Sequence, residues 1–480
     1  MFSASTVGVL LVAGLLAGCA AGPDFVRPAA PDAAGYTSTP VPAQTVSAPI
    51  ALGNAQRLNP QAEVDAQWWR SLGSPKLDAL IAQGLVASPT LAAAEATLRQ
   101  AQEVYAAQAA SLLSPQVEGG LGIQRQRQGT VSGLQAPGGR LSTQYSASIG
   151  VRYQLDLAGS HRRALEALSA RADYRRYELQ GVQLALAGNI AAAAIRQAAL
   201  AAQTRATEEL VKAQEEQVLL TRERVRLGQA AQRELLTLFA QVEQTRSALP
   251  GLRKQLQQGE HLLAVLAGRV PGDGGLPRFT LEDFTLPPEL PYVLPSELVR
   301  RRPDIQAAEA LLQAANAEYG VAIANMYPQL DISASLGSQA LTLGSLFGGG
   351  TAVWGLAGQL MQPLFNPGLP ARKREALAAF DAAAANYRQV VLESLRNVAD
   401  VLRSVEHDAQ TLKALSSATD AAQESLRSVH RQYSLGAANY IEWLVAYQQL
   451  EQARIGLIAA QSQRLLDTAA LYQAIGGAPT

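Results

Sequence analysis

Only one cysteine is available for chemistry in the 480 residues, Cys19, and it closes the stretch Leu16-Ala17-Gly18-Cys19 directly after a short apolar run at residues 7–16. An apolar core of that length is too short to span a bilayer and ends in small residues, the pattern of an export leader. Residues 1–18 are therefore expected to be a lipoprotein signal peptide, and Cys19 the lipidated first residue of the mature chain. Residues 1–6 carry no Lys or Arg, where a leader ordinarily begins with positive charge, so the true start is expected upstream of Met1. With no second cysteine, neither a disulfide nor a thiolate metal site can form. His161, His261, His407 and His430 are scattered without metal-ligand spacing, and no nucleophile motif is present. No catalytic residue, metal or cofactor is expected, and the chain reads as something other than an enzyme. The 40 Lys and Arg are balanced by 40 Asp and Glu, and the basic runs Arg300-Arg301-Arg302 and Arg372-Lys373-Arg374 are too short to make a field for nucleic acid.

If chemistry is absent, the architecture must carry the function. The composition is 48% hydrophobic but only 5% aromatic, and rich in alanine, which suits long helices in close approach rather than a bulky globular core. Residues 19–65, rich in Pro, Ala, Ser and Gln, read as a lipid-anchored extended tether. The rest is duplicated. Residues 214–269 align without a gap on 422–477 at a constant offset of 208, matching Glu216 with Glu424, Leu227-Gly228 with Leu435-Gly436, Glu234 with Glu442 and Gly268 with Gly476. Upstream, Pro89, Glu95 and Tyr105 match Pro303, Glu309 and Tyr319. The expected organisation is repeat 1 over 66–269, a Pro- and Gly-rich linker over 270–295, and repeat 2 over 296–477.

Each repeat reads as a helix, two short strands, and a very long helix that turns and comes back. No proline occurs from Gly138 to Leu249 or from Ala371 to Ala478. A helix from about Ser160 to Leu227 would hold ~68 residues and extend roughly 100 Å. Leu412, Leu415, Thr419, Ala422, Leu426, Val429, Tyr433 and Gly436 step by three and four, a coiled-coil seam, and no segment beyond the leader is apolar for the ~18 residues a membrane helix needs.

Between the helices the period changes to strict alternation. Tyr145, Ala147, Ile149, Val151, Tyr153 and Leu155 interleave with Ser146, Ser148, Gly150, Arg152, Gln154 and Asp156, and the partner strand after Pro115 carries Val117, Leu121 and Ile123. The second repeat offers Leu330, Ile332, Ala334 and Leu336 after Pro328, then Trp354, Leu356 and Leu360, with Gly-rich loops at 128–143 and 340–350. Strands of about 9–11 residues could cross an outer membrane when tilted. Four strands cannot close a barrel and open edges are not tolerated in lipid, so the chain needs copies of itself; three would give twelve strands.

The stretch Leu294-Pro295-Ser296-Glu297-Leu298-Val299-Arg300-Arg301-Arg302-Pro303-Asp304-Ile305-Gln306-Ala307-Ala308-Glu309 resembles the signature of the outer-membrane factor (TolC/OprM-like) efflux family. Gly22-Pro23-Asp24-Phe25, Trp68-Trp69, Leu155-Asp156-Leu157 and residues 263–268 fit it in register, and the similarity covers essentially the mature chain. The resemblance implies an α+β membrane protein: a homotrimeric twelve-stranded outer-membrane β-barrel, four strands per chain, continuing into a long α-helical periplasmic barrel. It implies an exit duct for small toxic compounds or drugs, fed by a periplasmic adaptor (membrane fusion) protein and a proton-coupled inner-membrane pump of the RND type. The hairpin tips, Leu227-Gly228 and Leu435-Gly436, would meet the adaptor. Glu234, Tyr433 and Glu442 would form the periplasmic gate, although Ala438 and Val445 stand where members carry an arginine and a second acid. Ala20 after the cysteine is similar to lipoproteins sent to the outer membrane. A lipid-anchored periplasmic coiled-coil scaffold shares the helices and the anchor but leaves the duplicated amphipathic hairpins without a use, and a protein-secretion duct shares the barrel.

Overall fold

The computed structural model of the chain describes residues 20–33, 35–62, 64–128 and 140–476; Cys19 and the leader lie outside them, as does most of the 128–143 loop. The elements run in the order β1 (Arg57–Asn59), α1 (Pro75–Ala87), α2 (Pro89–Leu113), β2 (Gln116–Gln128), β3 (Arg140–Leu155), α3 (Ser160–Arg226), α4 (Gln232–Arg246), α5 (Leu249–Leu266), β4 (Glu289–Pro291), α6 (Pro295–Arg301), α7 (Pro303–Ala324), β5 (Gln329–Ala340), β6 (Ala352–Met361), α8 (Gly368–Ser434) and α9 (Tyr440–Ala474). They form two compact units, one of residues up to 27, 97–175 and 308–387, the other of the remainder.

The duplication reaches further than identity suggests. α3 and α8 are each 67 residues long, and both of their ends differ by the same 208 positions. The two returning arms differ: α9 is continuous for 35 residues, whereas the matching stretch breaks at Ser247 and Ala248 into α4 and α5. The cause is Pro250, where α9 has Ile458. Proline has no N–H to donate, and its ring clashes with the carbonyl four residues back, which belongs to Arg246, the last residue of α4.

The first unit holds the four-stranded sheet, in the order β2-β3-β5-β6. Beside it, the start of the described chain is tied down by one buried arginine. Arg163, 3% exposed, donates to the carbonyls of Ala21 (3.4 Å) and Gly22 (3.3 Å) and forms ion pairs with Asp24 and Glu166, both at 2.7 Å.

In the second unit a core forms around Trp68, which stacks on Tyr472 at 5.6 Å, with Leu77, Ile81, Ile190, Ile195, Leu263 and Leu298. One stretch of α3 is apolar enough by composition to cross a bilayer, but two thirds of it is buried in the protein, with Ile190, Ala191, Ala194 and Ile195 inside this core. The segment expected as an extended tether is docked on the unit. β1 pairs in parallel with β4 of the inter-repeat linker, Tyr36 donates to the carbonyl of Val293 (2.6 Å), and buried Gln56 reaches Pro287 and Thr468 (3.2 Å each). An aperiodic composition does not reveal this, because the contacts are made by single polar side chains and backbone rather than by an apolar face.

Arg464 donates to the carbonyl of Leu52 and to Gln56, both at 3.0 Å. One turn on, Asp467 is 5% exposed; burial, reinforced by the neighbouring carboxyl of Asp408, pushes its pKa up to about 8. A carboxyl whose folded pKa is raised keeps its proton at neutral pH, so the folded state loses stability as pH rises from about 4 through about 8. Asp467→Asn, which preserves the donor without the charge, is expected to flatten the decline in melting temperature between pH 5 and pH 9; an unchanged slope would exclude Asp467 as its source.

Candidate functional site

The sheet sorts most of its side chains by face along three ladders. β2 pairs with β3 (Val117 opposite Val151, Leu121 opposite Ala147, Ile123 opposite Tyr145), β3 with β5 (Ile149 opposite Leu336, Tyr153 opposite Ile332), and β5 with β6 (Ala334 opposite Leu356, Leu336 opposite Trp354, Leu330 opposite Leu360), all antiparallel. Opposed residues share a face, so these residues make one apolar surface across four strands. The other face carries Gln116, Glu118, Ser146, Ser148, Arg152, Gln154, Asp331, Ser333, Ser335 and Gln359, with side-chain bridges from Gln144 to Gln339 (2.8 Å) and Gln154 to Gln329 (3.2 Å). Nothing among the described residues covers the apolar face: Leu121 is 84% exposed, Trp354 81% and Leu356 72%. β2 and β6 are edges with no further partner among the described residues.

β5, at 12 residues, slightly exceeds the expected 9–11, and β2 and β3 exceed it further, at 13 and 16. The β2–β3 ladder continues past the apolar alternation into Gln124–Gln128, because the backbone of a hairpin can go on pairing whichever side chains it carries. The β5–β6 ladder stops earlier, and β3 meets β5 only from Tyr145 onwards.

The two reversals of the long helices lie in the second unit and share one backbone solution. Gly228 (φ +71°) donates to Val225, and Gln229 to Arg224 (2.7 Å); Gly436 (φ +75°) donates to Tyr433, and Ala437 to Gln432 (2.8 Å). This is the left-handed glycine cap that satisfies the last carbonyls of a helix. A side chain on either glycine would meet open space, so bare backbone is presented there beside exposed Leu227 and Leu435.

The residues beyond the two turns are not equivalent, although the sequence pairs them. Glu442 closes a capping box with Asn439: its carboxylate accepts from the Asn439 backbone (3.1 Å), and the Asn439 side chain accepts from the Glu442 N–H (2.9 Å). In the first repeat Ala231 replaces Asn439, has no side chain to cap with, and Glu234 makes no side-chain hydrogen bond or ion pair among the described residues. Tyr433 is joined across the two hairpins to Arg224, whose guanidinium hydrogen-bonds the phenol and lies 5.8 Å from the ring centroid. Behind it Tyr440, Trp443 and Tyr447 stack in succession, at 5.8 and 5.3 Å, over Val211, Val218, Leu238 and Val242. Burial, and then Tyr433, raise the pKa of Tyr440. The sequence points to Tyr433 but not to this support. The signal was present in three aromatics spaced by three and four along α9; the Arg224 partner, 209 positions from Tyr433, had none.

A profile of the family described as "Outer membrane efflux protein" matches residues 80–269 and 294–477. The chain is 32% identical to the toluene efflux pump outer membrane protein TtgC of Pseudomonas putida, across 98% of this chain and 95% of that one. It is 31% identical to the pyoverdine export outer membrane protein OpmQ of the same species, across 92% and 94%. Among solved structures, the outer-membrane channel OprN superposes with a TM-score of 0.86 at 25% identity over 96% of this chain and 99% of that one. The open state of the Neisseria gonorrhoeae MtrE outer membrane channel gives 0.82 at 26% over 96% and 99%. With the family matched over most of its length and relatives above 30% identity along nearly all of it, the chain belongs to the outer membrane efflux protein family.

Proposed function

We propose that this chain is one of three identical protomers of an outer-membrane exit duct that passes small toxic compounds from a periplasmic adaptor and an inner-membrane pump of the RND type to the exterior, without chemical change. The observation that carries it is the four-stranded sheet, with a continuous apolar band on one face, a mainly polar face opposite, and open at both edges. In lipid such a sheet must pair its edges, and twelve strands from three chains enclose a polar lumen within an apolar wall. Cys19, acylated, adds an anchor immediately before the residues held by Arg163. Gly228 and Gly436, flanked by Leu227 and Leu435, offer bare helix ends to the adaptor's hairpins. At the gate Glu234 carries the uncommitted carboxylate; three copies around an aperture repel one another and favour cations, while Glu442 serves first as a helix cap. Tyr433 holds the closed state through Arg224.

Single-channel recording in planar bilayers, with the mass of the detergent-solubilised particle measured in parallel, tests this reading. A trimer with discrete openings is the expected result. A non-conducting monomer that leaves the membrane when Cys19 is replaced by serine would overturn it in favour of an anchored coiled-coil scaffold.

A further inference from the structure

We propose that the outer end of the β2–β3 hairpin, together with the apolar cleft below it, binds a phosphorylated, acylated lipid of the outer leaflet, with Arg125 and Arg127 taking the phosphates. This rests on the duct reading above, which turns the apolar face of the sheet towards lipid and its hairpin ends, opposite the helix attachments, towards the exterior.

Two observations carry it. The first is a break in the alternation. On β2 the outward row reads Val117, Gly119, Leu121, Ile123 and then Arg125 and Arg127, paired with Thr143 and Leu141 of β3. Gln124 and Gln126 occupy the inward positions, so the charges stand on the lipid side, where the pattern below them is apolar. Both arginines are exposed and neither has an ion-pair partner among the described residues. Because this hairpin outruns β5, the pair stands just above the apolar band, at the height of lipid headgroups rather than chains. Guanidinium is the side chain that best matches phosphate geometry, and the two carry charge opposite to it.

The second is a cleft of about 580 Å³ on the same face, lined by Leu121, Ile149, Leu336 and, from the β5–β6 loop, Phe347. Phe347 is 82% exposed. Leu121 lies four residues below Arg125, about 13 Å at roughly 3.3 Å per residue, which suits a molecule with a phosphate at one end and a hydrocarbon chain at the other. Neither feature is needed to close the barrel or to line its lumen.

The test titrates the purified full-length trimer with bis-phosphorylated lipid A and reads bound lipid by native mass spectrometry, with the dephosphorylated lipid and inorganic phosphate as comparators. Arg125→Gln/Arg127→Gln is expected to bind bis-phosphorylated lipid A at least about tenfold more weakly than the unaltered protein, and millimolar inorganic phosphate is expected not to displace it. Phe347→Ala is expected to weaken binding while leaving the preference for the phosphorylated lipid intact. Equal binding by the double variant, or equal binding of the dephosphorylated lipid, would overturn the proposal, as would displacement by inorganic phosphate alone. Should the glutamine pair fail to assemble, the single variants Arg125→Gln and Arg127→Gln are each expected to lose part of the preference for the phosphorylated lipid, and an unchanged preference in both is then the overturning result. Conductance separates the two readings: a trimer that conducts but shows no phosphate preference sinks the lipid site alone, whereas an unaltered protein that never conducts sinks the duct.

Discussion

Leu336→Arg is expected to abolish membrane insertion and trimer formation. Leu336 lies mid-strand on β5, opposite Ile149 on one side and Trp354 on the other, and is 64% exposed because lipid is its intended neighbour. A charge on the lipid face near the midplane of an outer-membrane barrel costs about 2–4 kcal/mol, and a trimer incurs it three times. The control is one residue away. Ser335 faces the other side, between Gly150 and Gly355, where neither neighbour has a side chain, so Ser335→Arg is expected to assemble and to lower conductance by narrowing and charging the lumen. Membrane fractionation and the particle's mass read the first variant, and bilayer recording the second. If Leu336→Arg assembles while Ser335→Arg does not, the two faces have been assigned the wrong way round.

The second large effect concerns the closed state. Arg224→Ala removes the hydrogen bond that ties the first hairpin to the phenol of Tyr433 in the second, and is expected to raise the open fraction of the channel several-fold. A hydrogen bond made by a charged group contributes about 1.5–3 kcal/mol when well shielded; discounted to about 1 kcal/mol for this half-exposed site, it still corresponds to roughly fivefold in an open-to-closed ratio. Tyr433→Phe should fall between the two, since it loses the phenol's bond but keeps the ring beneath the guanidinium and its edge contact with Tyr440 at 6.3 Å. Recording at fixed salt gives the ratio directly, and an Arg224→Ala channel as quiet as the unaltered one would remove this pair from the gate.

Much of the sheet was legible beforehand because its information is local. Alternation at Tyr145–Leu155 and at Leu330–Leu336 assigns each side chain to a face whatever the partner strand, and Pro115 and Pro328 end the preceding helices by a clash within their own turn. The same holds for the 67-residue helices, where the absence of proline and the steps of three and four fix the element, and for Gly228 and Gly436, where only a residue free to take positive φ lets the helix stop and the chain reverse. Duplication made these signals stronger by stating them twice.

The same duplication misled where the copies diverge. Glu234 and Glu442 match in sequence, yet one is exposed without a side-chain partner and the other is folded into a capping box, because the deciding residue is the neighbour three positions back, Ala231 in one repeat and Asn439 in the other. Pro250 likewise breaks one returning arm and not its twin.

By itself, then, the sequence determined the elements, their faces and the turns between them, since each depends on contacts within a few residues. Only the tertiary structure decided that residues 35–59 pack on the inter-repeat linker, that Arg163 holds Ala21, Gly22 and Asp24, and that Arg224 meets Tyr433. Those contacts join positions more than a hundred residues apart through single polar side chains and one short backbone ladder, and such pairings leave no period along the chain; they exist only once packing has brought the partners together.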